Sequence, residues 1–293
     1  MGQGQGQATE PLCNRIAVVF DFDDTLAPDT LDSFLESCQV DPDAFERERV
    51  QPLIADGWDP IPAKFFRLIE ESRRRAVGDR ITRERLAAFG RGLAPFAGAP
   101  AMFGRLRGRA RACDPEIEVE FYLVSSGLGE IARNSPIARH FRALFGCEFH
   151  YDEAGEIAFP KRIITHAEKT LYLELIATGV GDDGAAGRRP EVIRDLAVEE
   201  LHVPFSQMIY VGDGASDIPV FALLDRRDGT AIGVRKPGLE REWGRQSIAS
   251  EDQRVANVAS ADYHEDSELL RSLTLAVEAL CKRIGLSKLS VGE

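Results

Sequence analysis

Four short apolar runs rich in β-branched residues recur along the chain, and each stops abruptly at polar residues. They lie at 16–20, 119–124, 208–211 and 230–234. Short, mostly apolar runs of this kind are typical of buried parallel strands. The pattern therefore predicts strands whose carboxyl ends meet solvent.

Amphipathic segments separate or follow these runs and predict helices. They lie at 168–178, 190–201, 215–225 and about 265–283. The alternation of strands and helices predicts an α/β fold with a parallel sheet. In such sheets ligands bind outside the carboxyl ends of the strands, so the polar residues that end three of the runs are expected to converge on one site.

The segment from about 27 to 117 breaks this rhythm because it offers helical patterns and no strand. Its helical patterns lie at 30–38, 42–55, 60–76, 81–90 and 99–111. The segment is too long for a simple crossover, so we expect a helical insertion above the strand ends. Further on, two short runs at 147–151 and 156–159 flank a turn sequence and predict a β-hairpin.

Composition and charge narrow the classes of partner. The formal net charge of −12 disfavours a nucleic acid, whereas a small anion needs only local positive potential. No stretch reaches the length of a membrane helix and the amino terminus lacks the layout of a signal peptide, so we expect a cytoplasmic protein without a membrane partner. The five cysteines include no Cys-x-x-Cys pair that would indicate zinc. Nothing in the sequence indicates the oligomeric state.

Two acidic motifs carry the chemistry. Asp21-x-Asp23-x-Thr25 follows the first run, and Asp213 and Asp217 follow the third in Gly-Asp-Gly-Ala-Ser-Asp. Taken alone, either motif is more simply an aspartate-rich turn or a helix entry. Together at adjoining strand ends they form an oxygen-rich ligand set of the kind that Mg²⁺ prefers.

The two motifs, with Ser125 and a downstream lysine between them, resemble the four signature motifs of the haloacid dehalogenase (HAD) superfamily. The match spans 16–217 in the expected order. It implies a three-layer, doubly wound parallel sheet with an inserted, mainly helical cap like that of phosphoserine-phosphatase-like members. On this basis the chain divides into a disordered tail at 1–12, an α/β core at 13–28 and 115–293, and a helical cap at 29–114.

The resemblance also implies roles for the aspartates. Asp21 would be the nucleophile that takes the phosphoryl group, and Asp23 would protonate the leaving oxygen and later deprotonate water. Magnesium would be held by Asp21, Asp213 and the backbone carbonyl of Asp23, with Asp217 in the same ligand group.

Binding of the phosphoryl oxygens falls to residues after the second run. Ser125 ends that strand, Ser126 is the near alternative, and Gly127 and Thr25 complete the predicted phosphate site. Taken alone, Ser125 is more simply interpreted as a serine that ends a strand at a glycine turn. Of two lysines, Lys161 and Lys169, we choose Lys169 because it opens a helical pattern, as the family's third-motif lysine does.

The expected activity is Mg²⁺-dependent hydrolysis of a small phosphorylated metabolite. A phosphotransferase or phosphomutase on the same scaffold is the first alternative, and a catalytically silent protein that uses the pocket for ligand-controlled binding is the second. The cap glutamate that reads the amine in phosphoserine phosphatases has no counterpart before Glu36, although Asp29 or Asp32 could replace it. The resemblance therefore does not carry serine phosphate over as the substrate.

Two weaker patterns remain. Residues 179–184 match Gly-x-Gly-x-x-Gly, but they follow a helical pattern and contain acidic residues, which disfavours a dinucleotide site. The arginines are clustered at 73–75 and again at 105, 107, 109 and 111. Such runs are usually solvated helix faces, although the cap could use one of them to hold an anionic substrate.

Overall fold

A computed structural model describes residues 12–179, 201–214, 216–235 and 255–290. Its centre is a seven-stranded sheet in the order β4-β3-β2-β1-β5-β6-β7. Every neighbouring pair is parallel except β3 and β4, which are antiparallel. The strands are β1 (Arg15–Phe20), β2 (Glu118–Leu128), β3 (Ala143–Tyr151), β4 (Ile157–Arg162), β5 (Met208–Gly212), β6 (Thr230–Arg235) and β7 (Asn257–Ser260).

The strand at the centre of this sheet fixes where the polar motifs lie. Phe20, the last residue of β1, pairs with Leu123 of β2 on one side and with Val211 of β5 on the other. The residues that follow these three positions therefore lie side by side toward the carboxyl ends of β1, β2 and β5. Five of the six residues of β1 are buried, as expected for a strand covered on both faces.

Ten α-helices are found in the parts of the chain that the structure describes. They are α1 (Thr30–Ser37), α2 (Pro42–Phe45), α3 (Gln51–Ala55), α4 (Pro60–Arg74), α5 (Arg83–Gly92), α6 (Ala99–Cys113), α7 (Gly129–Asn134), α8 (Lys169–Ala177), α9 (Ile218–Arg226) and α10 (Glu268–Ser290). A π-helical turn at Glu46–Val50 joins α2 to α3. The first five helices begin at aspartate or threonine side chains or at proline, which are ordinary helix starts.

The α/β class, the parallel strands and the strand-free helical segment were all expected from the sequence and are present. The predicted hairpin is β3 and β4, but β3 is longer than expected and also pairs in parallel with β2. The short α7 and the four-residue β7 were not predicted. The tail up to residue 11, the helical pattern at 190–200 and most of the 179–184 loop lie outside the described residues.

The last helix of the predicted cap packs on the core. Phe103 of α6 lies 4.9 Å from Phe121 of β2 and 6.2 Å from Phe20, measured between ring centroids. The same helix also packs along α10. The domain boundaries stay a prediction, and this packing leads us to place the end of the cap before Ala99 instead of at residue 114.

No helix in the ranges that the structure describes is long and apolar enough to cross a membrane.

Gly98, just before α6, packs against Tyr263, which contacts the loop of the first motif. It has a φ of +80°, and a Cβ at this position would lie 2.3 Å from the backbone of Tyr263. The hydroxyl of Tyr263 in turn donates a 2.8 Å hydrogen bond to the backbone oxygen of Thr25. A side chain at residue 98 would therefore push Tyr263 away from the loop that carries the first motif.

We expect Gly98→Ala to lower the free energy of unfolding by about 2 kcal/mol or more, from backbone strain and the forced shift of Tyr263. The measurement is urea unfolding followed by circular dichroism. Gly108→Ala is the matched control, because a Cβ there meets nothing within 4 Å. In the middle of α6 that change should stabilise by roughly 0.5–1 kcal/mol. Equal effects of the two substitutions would contradict this account.

Candidate active site

The ends of β1 and β5 bring two of the predicted carboxylates together. Asp21 follows β1, and its backbone N–H donates a 2.9 Å hydrogen bond to Val211, which holds the two strands in register to their last residues. Asp213 follows β5 directly. Carboxylate oxygens of Asp21, Asp213 and Asp217 all lie within 4.8 Å of one another. The pairing of β1 with β5 brings Asp21 close to Asp213, and Asp217 follows Asp213 by four residues. The three carboxylates therefore form one cluster.

Lys169 is the cation of this cluster. Its Nζ lies 3.0 Å from Oδ1 of Asp21 and 2.6 Å from Oδ1 of Asp217, and the side chain is only 1% exposed. Tyr210 donates a further 2.6 Å hydrogen bond to the same oxygen of Asp217. When all three carboxylates are ionised, the one ammonium leaves two of their negative charges uncompensated in a buried site.

The pKa values reflect this imbalance. Burial raises the pKa of Asp21 to about 7, with Asp217 adding to the rise and Lys169 opposing it. Burial, followed by the charges of Asp21 and Asp217, raises the pKa of Asp213 to about 8. Burial alone would lower the pKa of Lys169, but the two carboxylates outweigh it and hold the pKa above its ordinary value. The ammonium therefore stays charged at neutral pH.

Asp23 lies beside the cluster, and Thr30 of α1 holds its side chain in place. Its Oδ1 accepts hydrogen bonds from Thr30, 2.9 Å from the backbone N–H and 2.6 Å from the hydroxyl. Its Oδ2 would lie 2.0 Å from a Cβ on Gly127, so a side chain at residue 127 would displace the carboxylate. Burial and the nearby charge of Asp29 raise the pKa of Asp23 to about 8. The raised pKa favours the protonated carboxyl, which is the form that donates a proton.

Both candidate serines lie within β2, which runs on to Leu128 instead of ending at Ser125 as predicted, and the register to β3 shifts between Val124 and Leu128. Ser125 is 2% exposed, and its Oγ accepts a 2.9 Å hydrogen bond from the backbone N–H of Gly127. The Oγ of Ser126 is buried and has no hydrogen-bond partner among the residues that the structure describes. A buried hydroxyl without a partner is costly unless a ligand supplies one, which favours Ser126 as a ligand contact. Because both serines line the same cavity, the hydroxyl of either could donate a hydrogen bond to a phosphoryl oxygen.

A cavity of about 160 Å³ joins these groups. The site residues that line it are Asp21, Asp23, Ser125, Ser126, Gly127, Lys169 and Asp213. From the helical segment come Asp29 and Leu31 at the start of α1, and Ile61, Lys64 and Phe65 from the first turns of α4. The last three were missed from the sequence. Their spacing marks one face of a helix, but nothing in the pattern shows that this face meets a site.

Other predicted residues lie elsewhere. Thr25 is fully buried and does not line the cavity, because its loop is held inward by Tyr263. Asp217 is also fully buried and lies behind the cavity, with Oδ1 bonded to Lys169. Lys161 is exposed and lies 3.7 Å from Glu148 instead. Asp32 is exposed as well, whereas Asp29 reaches the cavity and caps α1.

The arginines singled out in the sequence do not line this cavity either. Arg73 to Arg75 end α4, and the other four lie along α6. The hypothesis that one of them holds the substrate is wrong for the cavity as the structure shows it.

No protein-family model matches the chain. A curated protein of Borreliella burgdorferi, described only as uncharacterized, is 26% identical over 278 residues, covering 87% of this chain and 94% of that protein. The similar solved structures include a HAD family hydrolase from Salmonella enterica serovar Typhi. Its TM-score is 0.56 at 15% identity, with 90% of this chain and 72% of that chain covered.

A substrate-bound phosphoserine phosphatase complex has a TM-score of 0.52 at 16% identity, with 88% of this chain and 96% of that chain covered. A probable phosphoserine phosphatase from Vibrio cholerae has a TM-score of 0.55 at 11% identity, with 94% and 68% covered. These likenesses extend over the sheet and the helical segment together. The chain has the fold of the HAD-family hydrolases, as the sequence motifs had indicated.

Proposed function

We propose that this protein is a Mg²⁺-dependent phosphomonoester hydrolase that forms an aspartyl-phosphate on Asp21. The observation that carries the proposal is the buried cluster of Asp21, Asp213 and Asp217 with Lys169, which adjoins a small cavity that Asp23 also lines. The arrangement combines a nucleophile, an acid and a buried ammonium that can bind an anion. The predicted cytoplasmic location stays a prediction.

The donor set fits magnesium. All the converging groups are carboxylate oxygens, and the two uncompensated negative charges match a divalent cation. Asp21 and Asp213 would hold the ion, with the backbone carbonyl of Asp23 as the expected third protein ligand. Asp217 would orient Lys169 from behind. When bound, the ion would neutralise the phosphate charge that otherwise repels a carboxylate nucleophile.

The chain's own residues account for both half-reactions. A carboxylate oxygen of Asp21 attacks phosphorus, the ester P–O bond breaks, and Asp23 gives its proton to the leaving oxygen. Water then attacks the aspartyl-phosphate while Asp23 takes up a proton, which restores the carboxylate of Asp21 and releases phosphate. Ser125, Ser126 and the Lys169 ammonium would bind the equatorial oxygens as negative charge builds on them.

The cavity volume supports a small substrate. At about 160 Å³ it lies below the roughly 300–1,000 Å³ of typical ligand pockets. Leu31, Ile61 and Phe65 of the helical segment line the cavity and would help to exclude bulk water from the phosphoryl group.

The proposal is tested first by the release of phosphate from an aryl phosphate. We expect turnover with Mg²⁺, none with EDTA, and a loss of at least about 10³-fold in Asp21→Asn, because the nucleophile is removed. Acid quenching during turnover should trap phosphate covalently on the parent chain and not on Asp21→Asn. Asp32→Asn is the control, since Asp32 is exposed and outside the cavity. Activity that survives in Asp21→Asn would refute the proposal, and transfer to added alcohols would favour a phosphotransferase.

Thr30 is expected to position Asp23. Thr30→Val removes the 2.6 Å hydroxyl hydrogen bond and keeps the backbone one, whereas Thr30→Ser keeps both. For an alkyl phosphate, whose leaving oxygen needs a proton, kcat/KM should fall about tenfold in Thr30→Val and little in Thr30→Ser. For a nitrophenyl phosphate, which leaves without protonation, the fall should be much smaller. Equal losses on both substrates would show that Thr30 has only a structural role.

Asp213→Asn should stabilise the metal-free protein. The pKa of Asp213 is about 8 when folded and near 3.8 when unfolded, so ionisation destabilises the folded state and this cost grows as the pH rises from about 4 to about 8. With EDTA we expect the melting temperature to rise by roughly 2–5 °C at pH 8 and less at pH 5. Asp56→Asn, at an exposed position, should change neither value. A lower melting temperature at pH 8 would contradict the electrostatic account.

A further inference from the structure

The four alternate arginines of α6 fall on two faces with different partners. Arg105 lies 2.9 Å from Glu265, and Arg109 lies 2.9 Å from Glu278 of α10. Because i and i+4 share a helix face, Arg107 and Arg111 point to the other side. Neither of these two has a carboxylate partner among the residues that the structure describes. One face of the helix is therefore neutralised and the other is not.

The unneutralised face lines a cavity of about 460 Å³. Its walls are the start of β2, the end of α6 and the segment before β3, which adds Arg139 and Arg142. Arg142 is paired with Glu120 at 2.9 Å, whereas Arg139, like the two arginines of α6, has no carboxylate partner in the described ranges. Three unpaired guanidinium groups thus face one cavity in a protein of net charge −12.

The acidic groups at the rim do not cancel this charge. Glu116 is paired with Lys288 at 2.9 Å, and Glu120 is paired with His202 at 2.7 Å as well as with Arg142. Glu118 is the one remaining carboxylate of the lining, and it is exposed. The cavity keeps an excess of positive charge.

Arg107 is also held in place before any ligand arrives. Its Nη2 donates a 3.1 Å hydrogen bond to the backbone oxygen of His140, and its guanidinium lies 4.7 Å from the ring centroid of Phe121. The Nε2 of His140 is buried beside this cavity, and no described residue forms a hydrogen bond with it. A fixed guanidinium loses little entropy on binding and matches the planar fork of phosphate or carboxylate oxygens.

We propose that this cavity is a second anion-binding site, which takes a small molecule with at least two phosphate or carboxylate groups. It lies at the opposite end of the sheet from Asp21, because Glu118 and Ser125 are separated by seven residues of β2, or roughly 23 Å. A concave cavity of this volume fits a small molecule, and the net charge disfavours a nucleic acid.

The test is calorimetric titration of the full chain with pyrophosphate, and separately with citrate, in EDTA at constant ionic strength. We expect one site, with an affinity that falls at least tenfold in Arg107→Gln and in Arg139→Gln. Arg105→Gln is the matched control, because it removes the same charge from the same helix on the paired face, and its affinity should change less than twofold. The two probes distinguish phosphate from carboxylate ligands.

Three results would overturn the proposal. They are equal losses in Arg105→Gln and Arg107→Gln, unchanged affinity in Arg107→Gln and Arg139→Gln, and binding that is lost in Lys169→Ala, which would place the anion in the active site. If Arg107→Gln does not fold, the exposed Arg139 still gives the answer. The test does not involve turnover, so its failure leaves the proposed phosphatase activity untouched.

Discussion

The structure depends on an ammonium group buried among carboxylates at the carboxyl edge of the sheet. Lys169 is held between Asp21, which follows β1, and Asp217, which lies in the segment after the neighbouring strand β5. Removing these charges from water costs several kcal/mol per ion, and close pairing offsets only part of that cost. Burial, and after it the charge of neighbouring carboxylates, therefore raises the pKa values of Asp21 and Asp213.

The sheet and the acidic motifs could be predicted because both are local signals joined by one general rule. Apolar runs identify buried strands, and the rule for parallel sheets places their carboxyl ends together. The rest needs tertiary information. β7 has only four residues, too few for a periodic pattern, and the side of α4 that carries Lys64 and Phe65 meets the cavity only because of how the helical segment folds back.

Thr25 and Asp217 show that a motif position and a contact with the ligand are different things. Both belong to the acidic motifs, yet both are fully buried and lie outside the cavity lining. Asp217 acts on the site through the ammonium of Lys169, and the backbone of Thr25 is held by Tyr263. Sequence spacing identifies the residues of each motif. The conformation of each loop determines which of these residues line the cavity and which hold the lining residues in place.

The two ends of the sheet carry opposite local charge, and the overall charge of −12 determines neither. At the carboxyl end, strand order collects aspartates around a single lysine. At the amino end of β2, the helical period separates the arginines of α6, so that Glu265 and Glu278 neutralise one face and the other lines a cavity. The local charge at each end of the sheet is set by the backbone geometry of a few residues. An acidic protein can therefore have two anion-binding sites. At the proposed active site a metal ion would supply the positive charge, and at the second proposed site the arginines supply it.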